Sequence, residues 1–254
     1  MKNVSDTLLK RTSIRRYERQ QIEPEKLELI YDAITHSPTS YNGQQYSVIA
    51  IDNQETKEKL YTLTGQKQIK TCALFLVFCA DYYKIETIAK EKQLQVPPFK
   101  QTLDGIMVGT IDATIAMSNA RIMAESLGLG CCCIGYIRTA APREVSQLLD
   151  LPKGVFIVCG LAIGYPREQP DIKPKQEKAL LIHHNHYHKT DIARKLSEYD
   201  ETIRQYNRTR NLGTSDNDWC SHMIDYYKEA MHYGLLSYLN EQDCGVAQET
   251  IEQA

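Results

Sequence analysis

Near the start of the chain, Arg11, Thr12, Ser13, Arg15 and Arg16 gather guanidinium forks, hydroxyls and loop amides into one short stretch. Guanidinium forks grip phosphate oxygens in pairs and hydroxyls complete the shell, so this set suits a phosphate clamp. An ordinary charged surface turn has the same composition. A second basic group, Lys173 and Lys175, carries a proline between its lysines, which stiffens the backbone and limits the entropy lost on ordering both side chains. Together the two clusters suggest one anion site, although spacing along the chain does not show that they meet. The polar stretch 37–44 adds Thr39, Ser40, Asn42 and Gln44, whose hydroxyls and amides both donate and accept. That suits a flat heterocycle bearing carbonyls and ring nitrogens, and it equally suits a loop that caps its own backbone.

Other candidate chemistries fail on spacing. GLGCCCIG at 128–135 lacks the third glycine of a dinucleotide fingerprint and follows a helix instead of leading from a strand into one. TGQK at 64–67 lacks the spacing and the following hydroxyl of a P-loop. Cys131, Cys132 and Cys133 alternate faces on a strand, which argues against a three-ligand metal site, and no CxxC dithiol is present. They read as buried thiols lining or underlying a site. His183, His184, His186 and His188 in HHNHYH have no cysteine or carboxylate pattern to complete a closed cage, so they read as a solvated loop and no metal is expected. Asp81, Asp104 and Glu125 are isolated acids, and no hydrolase triad or zinc-hydrolase motif appears.

The elements that must position these residues are well signalled. Pro24, early acidic residues and Leu27, Ile30, Ala33 and Ile34 at helical spacing predict a helix that ends before Pro38. A β-prone run follows at 46–51, a short helix at 55–63 and a turn at TGQKQ. The apolar runs 72–80 and 155–163 read as strands buried on both faces, too short to cross a bilayer as helices. Residues 103–127 form the longest helical signal, apolar around much of its circumference, with small residues that let neighbours approach closely. Residues 131–138 have strand composition, Pro142 opens a short helix, and the proline-rich 165–178 is extended. Further helices are predicted at 192–208 and 225–239.

Composition sets the outer limits. The chain has 254 residues, 42% of them hydrophobic, enough for a sizeable core without metals or disulfides. Thirty Lys and Arg against thirty-two Asp and Glu leave a net charge of -2, which gives no general attraction for nucleic acid or anionic membrane. Any phosphate site must be local. The start, MKNVSDTLLKRTSIRRY, lacks the continuous apolar core of a secretory signal, so a cytoplasmic chain with eight mostly buried, reduced cysteines is expected. No repeat or linker divides the sequence, which predicts a single α+β domain over 1–254. Residues 190–254 form an amphipathic extension that is not compact by itself and should wrap over the body or another subunit.

Read in order, RTSIRRY at 11–17, SPTSYNGQ at 37–44, LTGQKQ at 63–68, AESLGLGCCCIGYIR at 124–138 and GYPREQPDIKPK at 164–175 resemble the nitroreductase superfamily, in particular its NADPH-oxidising branch of nitro and flavin reductases. The resemblance spans nearly the whole chain. It implies a mostly antiparallel sheet flanked by helices in an intertwined homodimer, with noncovalent FMN between the subunits and the C-terminal segments exchanged. By matched motifs, Arg11, Thr12, Ser13 and Arg15 correspond to the first flavin segment, with Arg15 toward the phosphate. Thr39 and Gln66 correspond to polar flavin contacts, Cys133, Ile134, Gly135 and Tyr136 to the segment beside the ring, and Lys173 and Lys175 to the second phosphate segment. The branch often has arginine where Lys175 stands, so the charge is kept and the rigid fork is lost.

The implied activity is FMN-dependent two-electron reduction of nitroaromatics, quinones or flavins at the expense of NADPH or NADH, with no catalytic side chain required. A dedicated flavin reductase and an idle flavin-binding interaction protein are the alternatives. One departure concerns the nucleotide. Where the branch commonly carries arginines before an Asp-x-Trp segment, this chain reads TRNLGTSDNDW at 209–219, with Asp216 and Asp218. Arg208 and Arg210 are the remaining candidates for the nucleotide, and relaxed selectivity or NADH use is expected.

Overall fold

The computed structural model describes residues 2–246. In chain order the elements are α1 (Val4–Leu9), α2 (Pro24–Thr35), β1 (Tyr46–Ile51), α3 (Gln54–Thr64), α4 (Lys67–Thr71), β2 (Leu74–Asp81), α5 (Tyr83–Glu91), α6 (Leu103–Ser126), β3 (Gly130–Ile134), α7 (Pro142–Leu148) and β4 (Val155–Gly164). They are followed by α8 (Lys178–Leu181), α9 (Ile192–Thr209), α10 (Trp219–Ala230) and α11 (Leu235–Glu241). Residues up to 168, joined by 234–246, form one compact unit, and Gln169–Tyr233 form another.

The first unit is an antiparallel sheet of four strands in the order β1-β2-β4-β3. The two central strands are buried along their whole length, as their unbroken apolar runs require. On one face α2 and α6 cover Leu76, Phe78, Leu161 and Ile163; on the other Ile51, Phe75, Val77 and Ile157 pack with residues of α3, α4 and α7. Close packing explains Gly160 on β4: a Cβ there would lie 2.4 Å from Cζ of Phe75, a fully buried ring. Replacing Gly160 with Ala is expected to cost about 1–3 kcal/mol through overpacking. Thermal melting should register it as a loss of several degrees (roughly 2–4 °C per kcal/mol at this size).

Helix α6 explains how a long helix lies so close to the sheet. Its buried positions include Gly105, Gly109, Ala113, Ala116, Ala120 and Ala124, a small-residue stripe at helical spacing. Its large apolar residues Leu103, Met107 and Ile111 instead face outward, 55%, 51% and 51% exposed.

Two expected boundaries are corrected. The strand read over 131–138 stops at Ile134, and Gly135–Arg138 form a 3-10 helix. There the Arg138 guanidinium folds back to donate to the carbonyls of Gly135 (3.1 Å) and Val158 (3.4 Å), so the chain turns out of the sheet. The helix read over 225–239 is two helices, α10 and α11, separated by residues 231–234. Tyr238 of α11 is buried in the first unit, where its hydroxyl meets Ser146 Oγ at 2.8 Å and accepts from the N–H of Ile157 at 3.1 Å. Part of the expected C-terminal extension is therefore core of its own chain, and its last residues, 247–254, lie outside the described residues.

The second unit contains the extended segment 169–177 laid along α9. Tyr199 and Tyr206 donate their hydroxyls to the carbonyls of Pro174 (3.3 Å) and Asp171 (3.1 Å), and Lys195 pairs with Glu177 at 2.7 Å. Among the described residues no helix is long and apolar enough to cross a membrane.

Candidate functional site

Residues 11–17 run as a strip along the open edge of β3. Ser13 forms a parallel bridge with Cys131, and the Ile14 N–H donates to the Cys131 carbonyl at 2.9 Å. Tyr17 anchors the far end: its buried hydroxyl lies 2.6 Å from the Ile14 carbonyl and 3.2 Å from that of Ala162. Between these anchors a Glu168 oxygen accepts from the N–H groups of Arg15 (2.6 Å) and Arg16 (3.2 Å). The Arg15 side chain is thereby left exposed, and it makes no hydrogen bond or ion pair among the described residues. Arg11 is committed differently. Its Nε donates to Glu125 (3.3 Å) and its Nη2 to the Ser13 hydroxyl (3.2 Å), while Arg121 holds the other Glu125 oxygen at 2.8 Å. Thr12, half-buried, continues the strip between them.

The 37–44 segment is built from both readings of its polar residues. It caps itself in part, since the Gln44 N–H donates to the Thr39 hydroxyl (3.1 Å) and the Gln44 amide to the Asn42 carbonyl (3.3 Å). It is also held from outside by α6. Buried Asp112 accepts from the N–H groups of Ser40 (3.1 Å) and Gln45 (3.4 Å), and Asn119 donates to Ser37 at 2.9 Å. Within this frame Tyr41, Asn42 and Gln44 all adopt left-handed φ values of 51°, 54° and 49°. Each costs on the order of 1–3 kcal/mol unless its surroundings over-determine it, and such strain gathers at functional sites. Tyr41 projects wholly into solvent.

Gln66 follows a left-handed Gly65 (φ 68°) that ends α3, a conformation free of Cβ strain only for glycine. Its side-chain oxygen accepts from Gln68 at 2.7 Å, which orients its amide. On β3, Cys131 and Cys132 are buried whereas Cys133 is exposed, its sulfur 3.4 Å from that of Met117. The Cys133 thiol is nevertheless held above its ordinary range, because desolvation by neighbouring groups outweighs the downward pull of Arg11 and Arg121. Cys72 and Cys159 are likewise pushed up to about 12 by burial. All eight cysteines are free thiols. Ile134 is buried, Gly135 opens the 3-10 turn, and Tyr136, three positions after Cys133, is 39% exposed.

The second unit carries the remaining candidates. Lys173 and Lys175 are exposed on the segment that α9 supports. Arg208 pairs with Asp216, and Arg204 binds Asp218 (2.9 Å), which also caps α10 through the Ser221 N–H. Asn207 ties the same loop down by donating to the Asn217 carbonyl at 2.7 Å. Arg210 has a buried Nε with no hydrogen-bond partner among the described residues. In the histidine-rich loop the rings of His186 and His188 meet at a tilt of 58° with centroids 4.4 Å apart, and among the described residues no three potential ligands are placed to hold a metal.

Sequence reasoning left Glu125 without a partner and passed over Asp112 and Glu168. The four-residue spacing from Arg121 to Glu125 was the one available local signal. Arg11 and the loop amides come from sequence far away.

The sequence profile of the nitroreductase family matches residues 8–165, and that of the nitroreductase family C-terminal domain matches residues 173–246. A Bacillus subtilis protein named FMN reductase [NAD(P)H] is 32% identical over 244 residues, covering 95% of this chain and 98% of that protein. The oxygen-insensitive NADPH nitroreductase of Salmonella typhimurium is 33% identical over 231 residues, covering 91% and 93%. Among solved structures, NfrA2 of B. megaterium superposes with a TM-score of 0.90 at 32% identity, covering 98% of this chain and 100% of that one. The hypothetical oxidoreductase YcnD of B. subtilis gives 0.92 at 32% identity with the same coverage. The matched profiles span both compact units, and these relatives align from end to end: the chain belongs to the nitroreductase family, in its branch of NADPH-oxidising nitro and flavin reductases.

Proposed function

We propose that this chain is an FMN-dependent NAD(P)H oxidoreductase that reduces nitroaromatics, quinones or flavins by two electrons. The observation that carries this reading is the strip 11–17, which is pinned by its backbone while the Arg15 guanidinium stays free for an anion. The donor set fits FMN. Arg15, with the hydroxyls of Thr12 and Ser13, would hold the phosphate, and the matched motif adds Lys173 and Lys175 as further cationic candidates. Thr39 and Gln66 would offer hydrogen bonds to ring carbonyls and nitrogens, and the 133–136 segment is the candidate to line the ring. When bound, FMN would supply two-electron redox chemistry between a reduced nicotinamide and an acceptor. The protein's residues would bind and orient the two partners; no catalytic side chain is required, because the proton that completes reduction of the acceptor can come from solvent. FMN-named relatives support the cofactor assignment.

Anaerobic stopped-flow mixing of FMN-loaded protein with NADH and with NADPH, followed by nitrofurazone, menadione or FMN, tests both half-reactions. Flavin absorbance should bleach and recover. No bleaching with either nucleotide overturns the enzyme reading, and release of reduced FMN marks the dedicated flavin reductase.

Nucleotide choice follows from the second unit. Asp216 engages Arg208, whose hydrogen bond holds the Asp216 carboxyl below its usual range, so one of the two candidate cations for a 2'-phosphate is already neutralised. The expected result is a kcat/KM for NADPH within about a hundredfold of that for NADH, a difference of less than ~2.7 kcal/mol. Replacing Asp216 with Asn should shift the ratio toward NADPH. A wild-type preference for NADPH above a hundredfold sinks this assignment.

A homodimer completes the proposal. The outward Leu103, Met107 and Ile111 lie at four-residue steps on α6, and because each is already about half buried, covering the rest is worth about 0.8–1.5 kcal/mol apiece. Met107→Asp should convert a dimer into monomers in sedimentation velocity. A wild-type chain that sediments as a monomer rules the dimer out.

A further inference from the structure

Asp112 belongs to no motif that suggested the site, yet it is among the most buried ionisable groups in the chain, 1% exposed. Its two oxygens are divided between the two ends of one short loop: Oδ1 accepts from the Ser40 N–H and Oδ2 from the Gln45 N–H. Two turns further along α6, Asn119 donates to Ser37 and holds the entry to the same loop. The loop between these clamps contains Thr39 and the left-handed Tyr41, Asn42 and Gln44, a conformation its own hydrogen bonds do not fully account for. A buried carboxylate receiving two backbone N–H groups satisfies donors that would otherwise be orphaned and fixes the separation of the residues that carry them.

We propose that Asp112 is a positioning residue, which sets the strained 39–45 loop so that the Thr39 hydroxyl and the neighbouring amides are preorganised for the flavin ring. This rests on the reading of the site as an FMN site. The short carboxylate does this because it reaches both ends of the loop at once. Asn keeps one acceptor but turns an NH2 toward the second N–H, so one clamp is lost with no change of volume. The rest of the chain is untouched by this exchange, because the Arg15 strip is held separately by Glu168 and by β3.

The test is FMN titration of full-length apoprotein, followed by quenching of flavin fluorescence, for wild type, Asp112→Asn and Asn119→Ala, with thermal melting of each apoprotein alongside. Asp112→Asn is expected to raise the Kd for FMN about tenfold or more, equivalent to about 1.4 kcal/mol. It should also shift the visible absorbance band of the bound flavin, because the ring environment changes. Asn119→Ala, which releases only the loop entry, should fall between it and wild type. An Asp112→Asn protein that melts earlier but binds FMN with wild-type affinity and an unchanged spectrum overturns the proposal and leaves Asp112 a core residue. Wild-type apoprotein that binds no FMN overturns the site reading instead, so the two failures are distinct. Should Asp112→Asn fail to fold, Asn119→Ala decides the point by the same two readouts.

Discussion

Arg15→Ala is expected to weaken FMN binding by about 10- to 100-fold, the loss of roughly 1.5–3 kcal/mol for a hydrogen bond to a charged group. Folding should be almost untouched, within about 0.5 kcal/mol, since the side chain is exposed and makes no contact that the strip depends on. The strip is held by its backbone, through Glu168 and Cys131, and alanine keeps those N–H groups. Riboflavin separates the phosphate from the ring. The same variant should bind riboflavin about as well as wild type does, because riboflavin has no phosphate for Arg15 to meet. Arg15→Lys should fall between the two, keeping the charge and losing the planar fork. Flavin fluorescence titration measures all of these, and equal losses for FMN and riboflavin, or for FMN binding and stability, remove Arg15 from the phosphate site.

Glu125→Ala should be the most destabilising single change at the site. Glu125 is almost buried, with a side chain 9% exposed, and it is shared by Arg121 (13% exposed) and Arg11 (28% exposed). Removing one partner of a buried ion pair typically costs about 3–5 kcal/mol, because the remaining charge is left without a counterion. Arg11 can still reach water, which puts the expectation near 3 kcal/mol, whereas Arg121 has little such escape. Glu125→Gln should cost less, since the amide oxygen keeps one of the two guanidinium contacts. The surface pair Lys10–Asp6, with side chains 71% and 43% exposed, is the internal comparison, and Asp6→Ala should cost far less than Glu125→Ala. Urea unfolding of the three variants measures the differences. A Glu125→Ala protein as stable as Asp6→Ala would show that the shared carboxylate contributes no more than a surface pair. The same variant frees Arg11, so its FMN affinity reports whether that arginine needs Glu125 to hold it in place.

These two residues show where sequence reading succeeds and where it stops. Arg15 became a candidate because the chemistry of its stretch is local: guanidinium groups beside hydroxyls suit an anion as well as an ordinary surface turn, and the resemblance directed Arg15 toward the phosphate. Glu125 was set aside as an isolated acid: its pairing with Arg121 lies at a readable helical spacing, but its second partner Arg11 is 114 positions away, a range that no periodicity reports. The 37–44 loop stands between these cases. Its self-capping was one of the two readings its residue types allowed, and Thr39 and Gln44 do cap it, yet the carboxylate that frames it comes from α6. Arg208 was a candidate nucleotide contact through the resemblance, and Asp216 was seen to be acidic. That the second binds the first depended on how the loop folds back on α9.

The elements were legible for the same physical reason as Arg15. Helix caps, proline positions and the two buried apolar runs act over a few residues, so α2, β1, β2, α6 and β4 emerge close to their observed limits. Where a boundary depended on a distant group it was misplaced. Arg138 ends β3 early by reaching the Val158 carbonyl, and Tyr238 separates α11 from α10 by burying its hydroxyl between Ser146 and Ile157. The amino-acid sequence by itself therefore determined the secondary elements, the absence of any general charge bias and the residue types available to hold an anion. The tertiary structure alone decided which of those residues are free to act. Three nearly buried carboxylates, Asp112, Glu125 and Glu168, take up the backbone amides and guanidinium groups around them and leave Arg15 exposed, because a carboxylate withdrawn from water must find donors wherever the fold brings them.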